Sequence, residues 1–201
     1  MRPRASATSS LVRTTTCLAL LATSATPPPE AFDPAGARAE FSVELRMAGT
    51  VPGSFGAIDG ELVATREGLW RVEVTVDARA LRLDGPQWME RTTRSPRFLA
   101  VDAYPRIAFS SRPFARELLH VGGALAGELV LRGVRREVSF MLAPATCATP
   151  GYGCEIRVRG DVDRRAFGMT AQRLLLRDTV GFEFHVRLRP PDAPAGTPPT
   201  P

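Results

Sequence analysis

Apolar and polar side chains alternate along most of the central part of the chain, and this period of two constrains the fold more than any other feature. In the clearest case, Val180, Phe182 and Phe184 alternate with polar residues or glycine across residues 180–189. Successive side chains of a β-strand point to opposite faces, so this pattern predicts a strand with one buried face. The same alternation occurs at 41–47, 70–77, 137–142 and 155–162, and more weakly at 60–65, 104–110, 117–123 and 126–132.

About eight such strands predict an all-β fold. Strands with one polar face at short spacing favour antiparallel neighbours. Closing them into a barrel removes the exposed edges, although a sandwich of two sheets fits the periodicity equally well. One short helix is predicted from Pro86 to about Arg94, because proline is favoured near a helix start. We expect this helix to act as a plug or lid at one end of a barrel.

The two ends of the chain differ from the middle. Residues 1–25 combine early arginines with a short apolar stretch and small residues before Ala25, which is typical of a secretory signal peptide. A disordered extension rich in Ser and Thr is the alternative. We expect a linker at 26–38, the barrel domain at 39–189 and a disordered Pro-rich tail at 190–201. With a signal peptide, we expect a periplasmic or secreted protein. No apolar stretch approaches the roughly 20 residues that span a bilayer, so we expect no transmembrane segment.

The basic charge does not predict a nucleic-acid partner. The chain has 201 residues, a net charge of +5 and 26 basic residues, all of them arginine. Three of these arginines lie in the expected leader, which leaves 5 − 3 = +2. The others are dispersed between apolar residues, whereas binding to phosphates requires a clustered positive surface.

The residues contain no pattern that predicts catalysis, a metal or a cofactor. His120 and His185 are the only histidines, and neither lies near other metal ligands in the sequence. No nucleophile motif is present. Asp161 and Asp163 lie close to several arginines and are interpreted as their ion-pair partners. Charged residues around the predicted helix are interpreted as a structural ionic network, namely Asp84, Glu90, Arg91, Arg94 and Asp102.

Two of the three cysteines are placed to form a disulfide. Cys147 and Cys154 bracket the turn-rich segment 148–153 between two predicted strands, so they can face each other across a hairpin. In an oxidising compartment we expect them to be bonded. A pair of reactive or metal-binding thiols is the alternative.

Several segments, in order and spacing, resemble the YceI-like family of secreted bacterial proteins. Tyr104–Phe109 is similar to its Y-P-x-x-x-F strand, Gly127–Val134 to its G-x-L-x-x-x-G-V hairpin and Asp163–Gly168 to its D/N-R-x-x-F-G segment. The segments Val74–Ala78 and Arg94–Leu99 also fit, and the resemblance covers about residues 39–189. Leu45 stands where the family often has histidine.

The resemblance implies an elongated, lipocalin-like antiparallel barrel whose interior holds a long isoprenoid lipid, such as a polyprenyl chain or a quinone tail. The implied function is non-catalytic binding, sequestration or transport of that lipid, with no other cofactor. The main alternative is an interaction module with a filled core that binds a protein partner, and the third is an enzyme acting on a lipophilic substrate. The candidate lining residues are Phe41, Val43, Leu45, Trp70, Val72, Val74, Phe140, Ile156, Val158, Phe182 and Phe184.

Overall fold

Ten β-strands and two short helices are formed by residues 26–47 and 49–191, the part of the chain that this computed structural model describes. The predicted leader at 1–25 and residues 192–201 of the predicted tail lie outside it. The strands are β1 Glu30–Ala31, β2 Arg38–Leu45, β3 Gly49–Ala64, β4 Trp70–Asp77, β5 Arg82–Leu83, β6 Arg106–Ser111, β7 Gly123–Leu131, β8 Val134–Leu142, β9 Ile156–Asp163 and β10 Leu176–Val186. The helices are α1 Gln87–Arg94 and α2 Leu118–Val121.

Eight antiparallel strands close into a barrel, in the order β3, β2, β10, β9, β8, β7, β6, β4. The long strand β3 makes the closure possible because it has two partners in succession. Its residues 49–57 pair with β2, and its residues 58–64 pair with β4. The predicted all-β barrel is therefore confirmed, and the sandwich that periodicity left open is not formed.

The sheet begins inside the segment 26–38 that the sequence predicted as a linker. Strand β1 pairs with β3, and the adjacent Phe32 forms a bridge to Leu188 beyond the end of β10. The buried ring of Phe32 lies over Gly60, where a Cβ atom would come within 2.5 Å of it. Because β1 fills the space between β3 and the end of β10, it completes the wall at one end of the barrel.

One of the two helices was predicted from the sequence, and the other replaces a predicted strand. Helix α1 is confirmed at Gln87–Arg94. The weak strand predicted at 117–123 is wrong, because residues Leu118–Val121 form α2 and β7 begins only at Gly123. The amide N–H of Gly122 donates to Leu118 O at 2.9 Å, which is a helical bond. The apparent alternation of this segment was too short to distinguish the two structures.

The two ends of the barrel have different covers. One end, which we call the closed end, is covered by β1, α2 and the 143–155 loop between β8 and β9. The other, which we call the open end, carries the turn between β2 and β3, helix α1 and the 168–175 loop before β10. The segments at each end of the barrel determine whether solvent can reach its interior there.

Candidate functional site

The interior of the barrel contains two apolar cavities that meet at Ile107, one towards each end. The cavity towards the open end, called the upper cavity, has a volume of about 280 Å³, and the lower cavity has about 80 Å³. An apolar cavity of about 150 Å³ is large enough to bind benzene and stays free of water. The upper cavity therefore has room for a hydrocarbon group, whereas the lower one is smaller than this reference.

The upper cavity opens to the surface, as the exposure of some of its lining side chains shows. Leu174 and Met47 line it and are almost fully exposed. Its wall is mostly apolar, with Thr92, Thr93 and Arg164 among its few polar residues. The wall of the lower cavity consists entirely of apolar residues.

Phenylalanine dominates the walls of both cavities. Nine of the ten phenylalanines of the chain line one cavity or the other, and the tenth, Phe167, is fully buried. Six of the rings form a continuous series of contacts with centroids 5.0 to 6.4 Å apart, which runs from the upper to the lower cavity. In order, these are Phe55, Phe41, Phe182, Phe184, Phe140 and Phe109.

Ten of the eleven predicted lining residues face a cavity. Four line the upper cavity, namely Phe41, Val43, Leu45 and Phe182. Six line the lower cavity, namely Val72, Val74, Phe140, Ile156, Val158 and Phe184. Trp70 is buried but lines neither cavity, and its ring instead contacts the guanidinium group of Arg116. That these side chains contact a ligand stays a prediction.

Glycines in the strands make room for two of the rings. Phe41 on β2 faces Gly53 on β3, and a Cβ atom at Gly53 would lie 2.3 Å from the ring. A Cβ atom at Gly160 on β9 would lie 2.5 Å from the ring of Phe140 on β8. Strand glycines commonly mark such close approaches.

A polar cluster and an aromatic ring lie together at the closed end of the barrel. Arg116 donates from Nη1 and Nη2 to the two carboxylate oxygens of Glu30 at 2.7 and 2.9 Å. Its guanidinium carbon lies 4.3 Å from the centre of the Trp70 ring. Burial raises the pKa of Tyr152 nearby, and the Glu30 carboxylate adds to this effect because a second negative charge would be unfavourable there.

A disulfide joins Cys147 to Cys154 in the loop at this same end. The loop is also bonded to the end of the barrel, since Leu188 N donates to Gly151 O at 2.9 Å. Both cysteines therefore fix the cover of the lower cavity and lie far from the mouth of the upper one. Of the two arrangements considered from the sequence, the structure has the disulfide.

Arg164, which the sequence interpretation placed among the partners of Asp161 and Asp163, is instead buried among other polar groups. Its side chain is only 2% exposed and donates to the carbonyl oxygens of Met169, Ala171 and Arg177. It also pairs with Asp178 at 3.0 Å. Burial lowers the pKa of this guanidinium, and the negative charge of Asp178 opposes that shift. Arg164 holds the 168–175 loop against the barrel.

The ion pairs predicted for the neighbouring carboxylates are not those found. Asp163 accepts the backbone N–H of Arg165 at 2.8 Å and so caps a 3₁₀ turn, while Arg164 reaches 14 residues along the chain to Asp178. The pair between Arg164 and Asp178 could not be predicted from neighbours along the chain, because the folded 168–175 loop is what brings these two residues together. Around α1 the predicted ionic network is found in part, with Glu90 bound to Arg94 at 2.9 Å and to Arg82 at 3.5 Å.

His185 takes part in a surface network on the outer face of β10. Its Nδ1 lies 3.2 Å from a Glu155 carboxylate oxygen, and Arg38 donates to the other oxygen at 3.0 Å. The hydrogen bonds from His185 and then Arg38 hold the pKa of Glu155 below its ordinary value. Within residues 26–47 and 49–191, no group of three or more His, Cys, Asp or Glu side chains could hold a metal ion. Neither described helix has the length and apolar character that a membrane span requires.

Comparison with known proteins places the chain by family and by fold. A sequence profile of the YceI-like domain matches residues 31–188. Among solved structures, BcnA of Burkholderia cenocepacia has a TM-score of 0.64 at 16% identity, covering 77% of this chain and 98% of its own. A polyisoprenoid-binding domain from Saccharophagus degradans, implicated in plant cell wall breakdown, has a TM-score of 0.58 at 13% identity, with 78% and 95% covered.

A variant of the YceI protein of Campylobacter jejuni is also similar, with a TM-score of 0.51 at 15% identity, covering 69% of this chain and 84% of its own. At these identities the likeness to solved structures concerns the fold. A search of curated proteins finds no match. The profile covers most of the chain, from β1 to the residue beyond β10 that bridges to Phe32. The chain belongs to the YceI-like domain family.

Proposed function

We propose that the barrel binds the tail of a long isoprenoid lipid, of polyprenyl or quinone type, in its upper cavity, and that it sequesters or carries this lipid without chemical conversion. The observation that carries the proposal is an apolar cavity of about 280 Å³ that opens to the surface at one end. The similar domain from Saccharophagus degradans is described as polyisoprenoid-binding, which supports the same class of ligand.

The walls suit a branched hydrocarbon chain better than a polar ligand. Burying apolar surface contributes roughly 0.8 kcal/mol for each CH₂ group, or about 3 to 4 kcal/mol for each five-carbon isoprene unit before the costs of association. A few units therefore suffice for useful affinity without a precise set of polar contacts. This accounts for a wall of valine, leucine and phenylalanine.

The positions of the polar groups favour entry with the tail first. Thr92, Thr93 and Gln172 lie around the upper cavity, whereas the lower cavity has no polar residue in its wall. A head group bonded to these residues would stay near the open end. A tail longer than the upper cavity would press on Ile107, where the two cavities meet.

A non-catalytic role in the periplasm or outside the cell belongs to the same proposal. The disulfide is compatible with an oxidising compartment. A module with a filled core that binds a protein is less well supported, because the open upper cavity is larger than an unfilled gap left by ordinary packing.

Extraction of the protein from its native host with organic solvent, followed by mass spectrometry, tests the proposal directly. We expect a stoichiometric isoprenoid lipid in the extract. Failure to recover any such ligand, together with failure of the purified protein to bind an added polyprenol or long-chain ubiquinone, would defeat the proposal.

A cavity-filling variant tests where the ligand sits. Val180 on β10 lines the upper cavity, and Val180→Phe would fill part of it. We expect binding of the polyprenol to fall at least tenfold while the protein stays folded. The matched control is Val63→Phe on β3, whose side chain lines neither cavity, and it should bind like the wild type. Equal binding by both variants would place the ligand elsewhere.

A further inference from the structure

Exposed apolar side chains are concentrated around the mouth of the upper cavity. In the described ranges seven large hydrophobic residues are exposed, and four of them line this cavity. We call these four the rim. They are Met47, Trp88, Leu174 and Leu175, with 98%, 55%, 88% and 60% of their surfaces exposed.

The rim is one surface built from three segments. Arg46 N donates to Leu175 O at 2.9 Å, and Arg46 Nε donates to Arg173 O at 3.1 Å, so the turn after β2 is tied to the 168–175 loop. Trp88 comes from α1 and lines the same cavity. The exposed surface is therefore continuous with the cavity wall.

Positive charge accompanies each segment of the rim. Arg46 adjoins Met47, Arg173 adjoins Leu174, and Arg91 lies one helical turn after Trp88, and all three arginines are exposed. Carboxylates near the rim already have partners among the described residues, as Glu44 pairs with Arg177 and Glu90 with Arg94.

Asp178 beside the rim is likewise bound to Arg164. Asp84 before α1 is exposed and belongs to none of these pairs. The three rim arginines outnumber it, so the charge of this surface complements an anionic partner.

This combination matches the surface of an anionic bilayer. Tryptophan and leucine side chains insert into the boundary between head groups and acyl chains, while arginines beside them bind lipid phosphates. A long isoprenoid chain crosses water only at a large free-energy cost. If the opening of the upper cavity lies against a bilayer, the isoprenoid chain can enter the cavity without passing through water.

We propose that the rim docks on an anionic lipid bilayer, so that a lipid chain passes between the membrane and the upper cavity without entering water. This inference rests on the proposed function, because it concerns the route by which that ligand arrives.

Co-sedimentation with vesicles tests the docking. The probe is a vesicle of phosphatidylethanolamine and phosphatidylglycerol in a 3:1 ratio, with phosphatidylcholine vesicles for comparison. We expect the wild type to partition onto the anionic vesicles and the variant Trp88→Ser/Leu174→Ser/Leu175→Ser to partition at least tenfold less. The matched control, Val121→Ser/Met141→Ser, removes two exposed apolar side chains outside the rim and should differ less than twofold from the wild type.

The charge is tested separately with Arg91→Gln/Arg173→Gln, neither of which lines the cavity. This variant should bind polyprenol added from ethanol as the wild type does, yet lose at least fivefold of its partition onto anionic vesicles. All variants keep the same chain ends, so any contribution of residues 1–25 cancels.

Two outcomes overturn the docking. One is equal vesicle partition by the wild type and the triple variant. The other is a dimer of the wild type that the triple variant cannot form, without vesicle binding, which would assign the rim to a second copy of the chain. Either result with polyprenol still bound by the wild type refutes the docking alone. If the wild type does not bind polyprenol at all, the proposed function is refuted instead.

Discussion

The guanidinium carbon of Arg116 lies 4.3 Å from the centre of the Trp70 ring, while its nitrogens bind both oxygens of Glu30. One arginine thus connects β1, β4 and the segment before α2 at the closed end. The arrangement combines a cation–π contact with a bidentate ion pair, and both are strongest where water is partly excluded.

Arg116→Met should destabilise the protein by about 1 to 2 kcal/mol, because it keeps the apolar stem but removes both interactions. The measurement is urea unfolding followed by Trp70 fluorescence in a Trp88→Phe background. Arg112→Met removes an exposed pair with Glu137 and serves as the control, with an expected change below about 0.5 kcal/mol. Equal effects of the two substitutions would contradict a special role for Arg116.

Loss of the disulfide should cost roughly 2.5 kcal/mol, which is the loop-closure estimate for a bridge between residues seven apart. Unfolding of Cys147→Ser/Cys154→Ser in urea, compared with the oxidised parent, measures it. Binding of polyprenol should persist in the variant because the bridge lies at the closed end. A variant that is equally stable would show that the loop is held by its other contacts.

Arg164→Met should destabilise the protein by about 3 kcal/mol or more, because it leaves Asp178 and three carbonyl groups without their buried donor. Chemical denaturation measures the change. The adjacent Arg165 is largely exposed and reaches Asp178 only at 3.4 Å, so Arg165→Met should cost less than about 0.5 kcal/mol. If Arg165→Met were as costly as Arg164→Met, burial would not be the cause.

Ile107→Ala should join the two cavities and shift the preference of the barrel towards longer tails. It should also cost about 2 to 4 kcal/mol of stability, as large-to-small substitutions in a core do. The check is the ratio of affinities for a long and a short polyprenol, which should rise at least threefold. Phe167→Leu, at a buried residue that lines neither cavity, should lower stability without changing this ratio.

Acid should remove the stabilisation that Glu155 supplies. Its pKa is lower in the folded protein than in the unfolded chain, since His185 and Arg38 bind its carboxylate. The folded state therefore binds this proton less tightly, and the contribution is complete above the unfolded pKa of about 4.5 and is lost as the pH falls through the folded value. The free energies of unfolding of the wild type and Glu155→Gln should converge between pH 5 and 3. A constant difference over this range would refute the assignment.

Much of the barrel could be predicted from alternation because it reflects burial on one face. Phe182 and Phe184 point inward two residues apart, and their rings stack with centroids 6.1 Å apart. Alternation could not reveal the first half of β3, where Pro52, Gly53 and Gly56 interrupt the pattern. The choice between barrel and sandwich therefore depended on a strand that the sequence showed only in part.

The contents of the interior were less predictable than its walls. Which rings meet depends on strand register and on glycines opposite them, as with Phe41 over Gly53. The division of the space at Ile107 is a matter of side-chain volume in three dimensions. The pairing of Arg164 with Asp178 was not predicted because Asp178 lies across a loop, whereas Asp161 and Asp163 are closer to Arg164 along the chain.

The bridge between Phe32 and Leu188 brings the two ends of the folded region side by side, and Arg189 N donates to Ala31 O at 2.9 Å. Residues 31 and 189 therefore both lie at the end of the barrel opposite the mouth. A tag, a fusion partner or a solid support joined directly to either of these ends of the folded region would hold the barrel with its mouth directed outward. A short linker between the two ends would likewise allow a circular permutant with new termini in an exposed loop such as 66–68.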